Sequence, residues 1–324
     1  MDRLDAVVLG GAAVDWVAQV NALPCKDGIV LARSYERFAG GSAANVAVGL
    51  ARLGCRTGFV GKLGDDEYGQ WLLRAFAHDG VDTTALLVAQ GRQSASCFIA
   101  VDDEGERMIV AIPGASLLED VQELDIAYLQ RTRALYIGTA YPGVAATAMD
   151  VMHKDEGTVF YAPSGAWGPD GLADIRPLIK KADVLLVSKA EAEVLIGPHS
   201  PAQGVQVFHS AGAQVVIETL GREGAVVLAQ GRLSEVPTFP VSDVRDTTGA
   251  GDAFAAGLIA GFVEGLGWAA AARMGCAAAA LKIRQVGARS GLPQRAEVQR
   301  LLVVASPNQG RDTVAASPQT RELG

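Results

Sequence analysis

The sequence predicts an α/β fold, a three-layer α/β/α sandwich with a mostly parallel sheet and a small β-lid. Three observations carry the prediction. Short apolar, β-branched runs recur along the chain, and amphipathic or small-residue segments separate most of them. Two regions break that rhythm with strand-like pieces that have no helix between them.

The runs are AVVLG (6–10), TGFVG (57–61), ALYIG (134–138), TVFYA (158–162), DVLLV (183–187), QVVIE (214–218) and GAVVL (224–228). Runs this apolar suit strands buried on both faces, as in a parallel sheet covered by helices. The helices are expected in stretches such as YGQWLLRAFAHDG (68–80) and GVAATAMDVMHKDEG (143–157). The exceptions are residues 12–38 and 92–113, where SCFIAVDDEGERMIVAI places the turn DDEGE between two strand-like pieces and reads as a β-hairpin. These two regions are assigned to the lid. Residues 1–304 are expected to form one domain, and the polar tail 305–324, with nothing to bury, is expected to be disordered.

A chain of 324 residues buries roughly 75% of its unfolded surface when it folds as an ordinary globular protein. The longest apolar stretches, such as FAAGLIAGFVEGL, are broken before the ~20 residues that a membrane span needs. The start, MDRLDAVVLGG, is acidic where a signal peptide is basic. A cytoplasmic location is therefore expected, with no membrane partner. The formal net charge of −8 comes without a basic stripe, which argues against a nucleic-acid partner. Cys25, Cys55, Cys97 and Cys276 lie far apart without CxxC pairing or histidines at ligand spacing, so neither a zinc site nor a disulfide framework is expected.

Two stretches carry the chemistry. DTTGAGDAFAAG (246–257) reads as a glycine loop running into a helix that is apolar nearly all round, with Asp252 at the helix start. Helix-start amides lack intrahelical partners and carry partial positive charge, so Gly249, Ala250 and Gly251 can form an anion hole. The plainer alternative is that Asp252 is an N-cap after a glycine turn. No Walker sequence competes: Gly61-Lys62 lacks the earlier glycine and the following Ser or Thr, and GGAAVD after the first run is not GxGxxG.

The second stretch is FAGGSAANVAVGLARLG (38–54). It is either a loop and a close-packed alanine helix, or a place where Gly40 and Gly41 let a polyhydroxylated ligand lie against the backbone while Asn45 exchanges hydrogen bonds with its hydroxyls.

Together, and in this order, the two stretches resemble the signatures of the ribokinase (PfkB) family of carbohydrate kinases. The resemblance extends to Asp15 in GGAAVD, GDDEYG (64–69), TLGREG (219–224) and VGARSGLP (286–293), covering roughly residues 4–303. It implies a sugar under a β-lid, ATP as phosphoryl donor and Mg²⁺. By matching position it makes Asp252 the base, with Gly249, Ala250 and Gly251 as the hole that holds the transferred phosphoryl group. Asp15, Gly40, Gly41 and Asn45 match sugar-binding positions, while Thr219, Gly221 and Gly224 match the nucleotide side. Asp246, Thr248, Ala288 and Ser290 match a monovalent-cation site, from which activation by K⁺ over Na⁺ is expected.

The chain departs from the family at SKAE, where NxxE is usual; Ser188 and Glu191 then stand where Mg²⁺ and phosphate are organised through water. GGSAAN replaces the GGKGAN of ribokinase, and IGTAYPG lacks an acidic residue aimed at ribose, so ribose is not the favoured substrate. The expected function is ATP-dependent phosphorylation of a hydroxyl of a small sugar or sugar acid. A nucleoside kinase of the same family is one alternative, and a catalytically weak sugar-binding or regulatory member is another. An exposed lid sheet leaves open edges, so a homodimer through the lid is expected.

Overall fold

The apolar runs become strands because both of their faces are covered. In the first of them Ala6 and Val8 point into one helical layer and Val7 and Leu9 into the other, and none is more than 1% exposed. The structure, a computed structural model, describes residues 3–165 and 167–304; the tail 305–324 lies outside the described residues.

In chain order the strands are β1 (Leu4–Leu9), β2 (Ala13–Gln19), β3 (Ser34–Gly40), β4 (Thr57–Val60), β5 (Lys62–Gly64), β6 (Leu87–Ala89), β7 (Ser96–Val101), β8 (Arg107–Ile112), β9 (Thr132–Ile137), β10 (Thr158–Tyr161), β11 (Val184–Ser188), β12 (Val215–Thr219), β13 (Ala225–Ala229) and β14 (Arg232–Val236). The helices are α1 (Ser42–Arg52), α2 (Glu67–His78), α3 (Ile126–Leu129), α4 (Pro142–Lys154), α5 (Leu172–Ile179), α6 (Lys189–Ile196), α7 (Pro201–Ala211), α8 (Ala250–Val263), α9 (Trp268–Lys282) and α10 (Arg295–Val304).

The main sheet has the order β14-β13-β12-β11-β10-β9-β1-β4. Strands β4 to β12 of that order run parallel, and β13 and β14 pair antiparallel at one edge. The edge hairpin turns on Gln230 and Gly231, both at positive φ (52° and 72°), the backbone of a two-residue primed turn. Strand β14 escaped the sequence pattern because RLSEV is half polar, as suits an edge strand with a wet face. On one side of β1 lies β4 and on the other β9, so the crevice where ligands bind in open α/β sheets falls at their carboxyl ends.

A second sheet, order β3-β2-β7-β8, forms the lid. Its β7–β8 hairpin closes on Asp102, whose Oδ1 accepts N–H bonds from Glu104 and Glu106. Gly40, expected in a loop, is the last residue of β3. A short parallel pair, β5 with β6, adds a third sheet.

Helices α1, α8 and α9 cover one face of the main sheet; α4, α5 and α7 cover the other. Small residues let α8 and α9 approach at backbone distance. A Cβ on Gly257 would sit 2.7 Å from the Met274 carbonyl oxygen, and one on Gly275 would sit 2.7 Å from that of Phe254. By contrast, a Cβ on Gly143 in α4 would meet nothing within 4 Å. Gly257→Ala should therefore destabilise the protein by ~1–3 kcal/mol, overriding a helix-propensity gain of ~1 kcal/mol. Gly143→Ala should stabilise it by up to ~1 kcal/mol. Urea midpoints of the two variants, moving in opposite directions, are the check.

Candidate active site

The first turn of α1 lies across the ends of β1 and β9. Ala43 fixes the crossing, for a Cβ on Gly10 or Gly138 would meet the Ala43 Cβ at 2.5 or 3.3 Å. Gly41 is the N-cap of this helix, and Ser42 and Asn45 follow in its first turn.

The start of α8 faces that turn. Gly249 is its N-cap in the left-handed region, φ 80°, where a Cβ would also meet the Ala288 carbonyl oxygen at 2.6 Å. Asp252 is therefore not the N-cap but the third helical residue, which removes the capping alternative. Its carboxylate turns toward α1 instead, accepting from Ser42 Oγ at 2.6 Å on Oδ1 and from Asn45 Nδ2 at 2.9 Å on Oδ2. Burial pushes its pKa up, while the Ser42 and Asn45 hydrogen bonds and the nearby Lys282 and Arg289 charges pull it down. The Ala250 N–H bonds to the Thr247 carbonyl at 3.1 Å. The N–H groups of Gly251 and Asp252 belong to the first turn, where no intrahelical acceptor exists. Gly251 is exposed, and a Cβ there would meet nothing within 4 Å.

Asn45 is 3% exposed and makes its side-chain hydrogen bonds inside the protein. Its Oδ1 accepts from Arg289 Nε at 3.3 Å while Nδ2 holds Asp252. Arg289 also donates to the Gly40 carbonyl at 3.3 Å and lies over the Phe76 ring. Its burial brings its pKa down to about 10. The lid supplies Asp15, paired in register with Phe38 and Cys97. A Cβ on Gly40 would fall 1.9 Å from Asp15 Oδ2, so only glycine lets that carboxylate lie against β3. Burial raises Asp15 to about 6, against the Arg289 charge and a hydrogen bond from the Cys97 thiol, and the Asp252 charge adds to the rise. Asp15, Gly40, Gly41, Asn45 and Asp252 thus meet around Arg289.

The residues expected on the nucleotide side gather at the carboxyl ends of β11 and β12, where Ser188 and Thr219 pair in register. Gly221 and Gly224 bound the turn after β12, both at positive φ. Ser188 is the N-cap of α6, and Glu191 closes a capping box on it: Oε2 accepts from Ser188 N at 2.8 Å and from Ser188 Oγ at 2.7 Å.

Asp246 and Thr248 share one loop, Ala288 and Ser290 another, and Asp246 joins the two. Its Oδ1 accepts from Thr248 N at 2.8 Å and its Oδ2 from Gly287 N at 2.7 Å. Under it lies the ammonium of Lys282, 3.8 Å from Oδ2. The Thr248 hydroxyl also accepts from Arg107 of β8 at 3.0 Å, which ties the lid to the loop before α8.

Six residues here were not read as site residues from sequence: Ser42, Arg289, Lys282, Cys97, Arg107 and Tyr136. Ser42 lies inside GGSAAN and Arg289 inside VGARSGLP. Lys282 carried a local signal, a single cation ending the alanine run AAAALK. Tyr136 is among them because its buried hydroxyl hydrogen-bonds with Ser42 and Ser164 and is pushed above its ordinary pKa by burial and by the Asp252 and Glu191 charges.

Comparison with known proteins matches residues 3–295 to the model of the pfkB family carbohydrate kinases. A ribokinase of Haemophilus influenzae is 31% identical over 93% of this chain and 99% of its own length. Fructokinase-1 of Zea mays is 30% identical over 87% of this chain and 94% of its own. The structure of Arabidopsis thaliana ribokinase complexed with ribose and ATP superposes with a TM-score of 0.83, at 25% identity over 93% of this chain and 99% of that one.

The Asp15 carboxyl has its pKa raised from 3.8 to about 6. The folded protein thus binds this proton more tightly than the unfolded chain, and the associated stability is present in acid and lost as pH rises through about 6. Asp15→Asn should raise the stability of the ligand-free protein at pH 8 by on the order of 1–3 kcal/mol, because each tenfold change in proton affinity is worth ~1.4 kcal/mol. The advantage should shrink as pH falls below 6 toward 4. Melting temperatures of both proteins across that range test it.

Proposed function

The chain belongs to the pfkB family of carbohydrate kinases, and on that premise we propose that it transfers the γ-phosphoryl group of ATP to a hydroxyl of a small sugar or sugar acid, with Asp252 as the base. The observation that carries this reading is the Asp252 carboxylate, held by two donors at the open start of α8 and joined through Asn45 and Arg289 to Gly40 and the lid. The ATP-bound Arabidopsis ribokinase supports the choice of donor.

The sugar lies between Asp15 and Asp252. Asp15, ionised above about pH 6, accepts hydrogen bonds from its hydroxyls. As the acceptor oxygen attacks, its proton passes to Asp252, the new O–P bond forms, and the bond from the γ-phosphorus to the β-phosphate bridge breaks to release ADP. The transition state is largely dissociative, so positioning outweighs the base's strength. Charge on the three equatorial oxygens falls on the first-turn N–H groups of Gly251 and Asp252, with Gly249 shaping the approach. Thr219, Gly221 and Gly224 lie along the nucleotide.

Glu191 fits a water-mediated hold on Mg²⁺, because its Oε2 is fixed by the α6 cap and Mg²⁺ usually combines one or two carboxylates with waters and phosphates. The ion would neutralise charge across the β- and γ-phosphates.

The same proposal places the protein in the cytoplasm, in keeping with four unpaired cysteines and with no helix among the described residues long and apolar enough to cross a membrane. It also makes residues 1–304 one catalytic unit and the lid a dimer contact. Ile109, Val110 and Ile112 of β8 and Ile29 and Leu31 before β3 are all exposed, which is apolar surface that a second lid would cover. Light scattering at micromolar concentration should give twice the chain mass; a monomer mass rejects the contact.

ADP release over a panel of sugars, sugar acids and nucleosides tests the reaction and sorts the acceptor class. Asp252→Asn should keep the fold, since the amide can donate to Ser42 and accept from Asn45, yet lower kcat by ~10²–10⁴. A variant that retains more than about a tenth of wild-type kcat rules out the base.

A further inference from the structure

Helix α9 ends on a cation that has no exposed surface. The Lys282 side chain is 0% exposed; its ammonium donates to the Asp246 carbonyl oxygen at 2.9 Å and the Gln285 carbonyl oxygen at 3.4 Å, and lies 3.8 Å from Asp246 Oδ2. Burying an ammonium is expensive unless its partners are fixed. Methionine or leucine would fill the same volume without that cost, so the charge itself is what the position uses.

The acceptors belong to the two loops that hold the start of α8. Arg245 and Asp246 donate their backbone N–H groups to the Ile283 carbonyl, Asp246 accepts from Gly287, and Gly249 packs on Ala288. A positive charge inside this pair of loops draws their oxygens together and leaves the first-turn N–H groups of α8 facing outward. The Lys282 charge also acts on Asp252, lowering its pKa against the effect of burial.

We infer that Lys282 is a tethered positive charge that orders the loop before α8, in the place where an exchangeable monovalent cation would otherwise act. An ammonium and a potassium ion are similar in size and both take oxygen partners, so they compete for one set. Asp246, Thr248, Ala288 and Ser290 therefore do not fit K⁺ as a required ion: the Lys282 ammonium already lies 2.9 Å from the Asp246 carbonyl oxygen and 3.8 Å from its Oδ2, where it repels a second cation. The expected activation by K⁺ over Na⁺ is replaced by independence of monovalent cations. Lys282 is a positioning residue, and the inference rests on the kinase reading of the α8 loop.

The test compares the wild type with Lys282→Ala and Lys282→Met in potassium, sodium, ammonium and tetramethylammonium chlorides. Wild-type ADP release should agree within about twofold in all four, and its melting temperature should not depend on which salt is present. Lys282→Ala opens a cavity among oxygens, so its rate should fall about tenfold or more in tetramethylammonium and recover in K⁺ or NH₄⁺. Its melting temperature should rise in the same two salts without any substrate, a readout that survives even if the kinase reading fails. Lys282→Met, with the cavity filled, should lose rate without rescue. Wild-type activation by K⁺ of more than about fivefold, or Lys282→Ala loss with no response to K⁺ or NH₄⁺ in rate or melting temperature, overturns the inference. If Lys282→Ala does not fold in any of the salts, the wild-type salt comparison decides alone.

Discussion

A carboxylate largely removed from water is the constraint around which this molecule is built. Asp252 sits in the first turn of α8, where the helix start favours negative charge, and two neutral donors from α1 hold it. Those donors need α1 to cross the sheet at β1 and β9, which Ala43 allows only because its neighbours are glycines. The donors in turn must be oriented, and Arg289 does that for Asn45. Each contact makes sense only as support for the next, so the whole face of the sheet between α1 and α8 is one unit of electrostatics and packing.

The balance of buried charge is close. Two acids, Asp15 and Asp252, share their surroundings with two cations, Arg289 and Lys282, and none of the four is at its ordinary pKa: burial raises both acids and lowers both bases. Removing Arg289 or Lys282 leaves an acid uncompensated, which generally costs more than the pair contributes, whereas for Asp15 burial outweighs its partners. Asp15, on an inner strand of the lid, is the least compensated: beside the Arg289 charge it has only the hydrogen bond from the Cys97 thiol.

Much of the frame was legible in the residues because strands buried on both faces have few ways to look. AVVLG and DVLLV can be little else at that length between helices, and the DDEGE turn announced a hairpin. Helix starts were read less well: Asp252 looked like a cap until Gly249 took that role through its left-handed backbone. Strand β14 was hidden by its polar face. Ser42, Arg289 and Lys282 were missed for a different reason. Lys282 showed only in the alanine run that it ends, and Ser42 and Arg289 have partners 210 and 244 residues along the chain, which no local pattern marks. Nor does it reveal that Asn45 spends its amide on Asp252 and Arg289. Glycines did show through, because a tight backbone approach leaves a residue type behind even when the approach itself is invisible.

The separation of those partners has a consequence for how the protein comes into being. The Asn45–Asp252 bond closes a span of 207 residues and the Arg289–Asn45 bond one of 244. In the lid, Asp15 finds Cys97 through a parallel pairing that no short hairpin can nucleate. Contacts of this kind are late and slow, since chain closure has to be met before they contribute. While it is being synthesised from the N-terminus, the chain therefore carries α1 with its serine and asparagine exposed and unmatched until nearly the last helix has emerged. The strands from β4 to β8 find their partners within about the first third of the chain, so it is α1 that waits longest, and the surroundings of Asp252 are complete only when the fold nearly is.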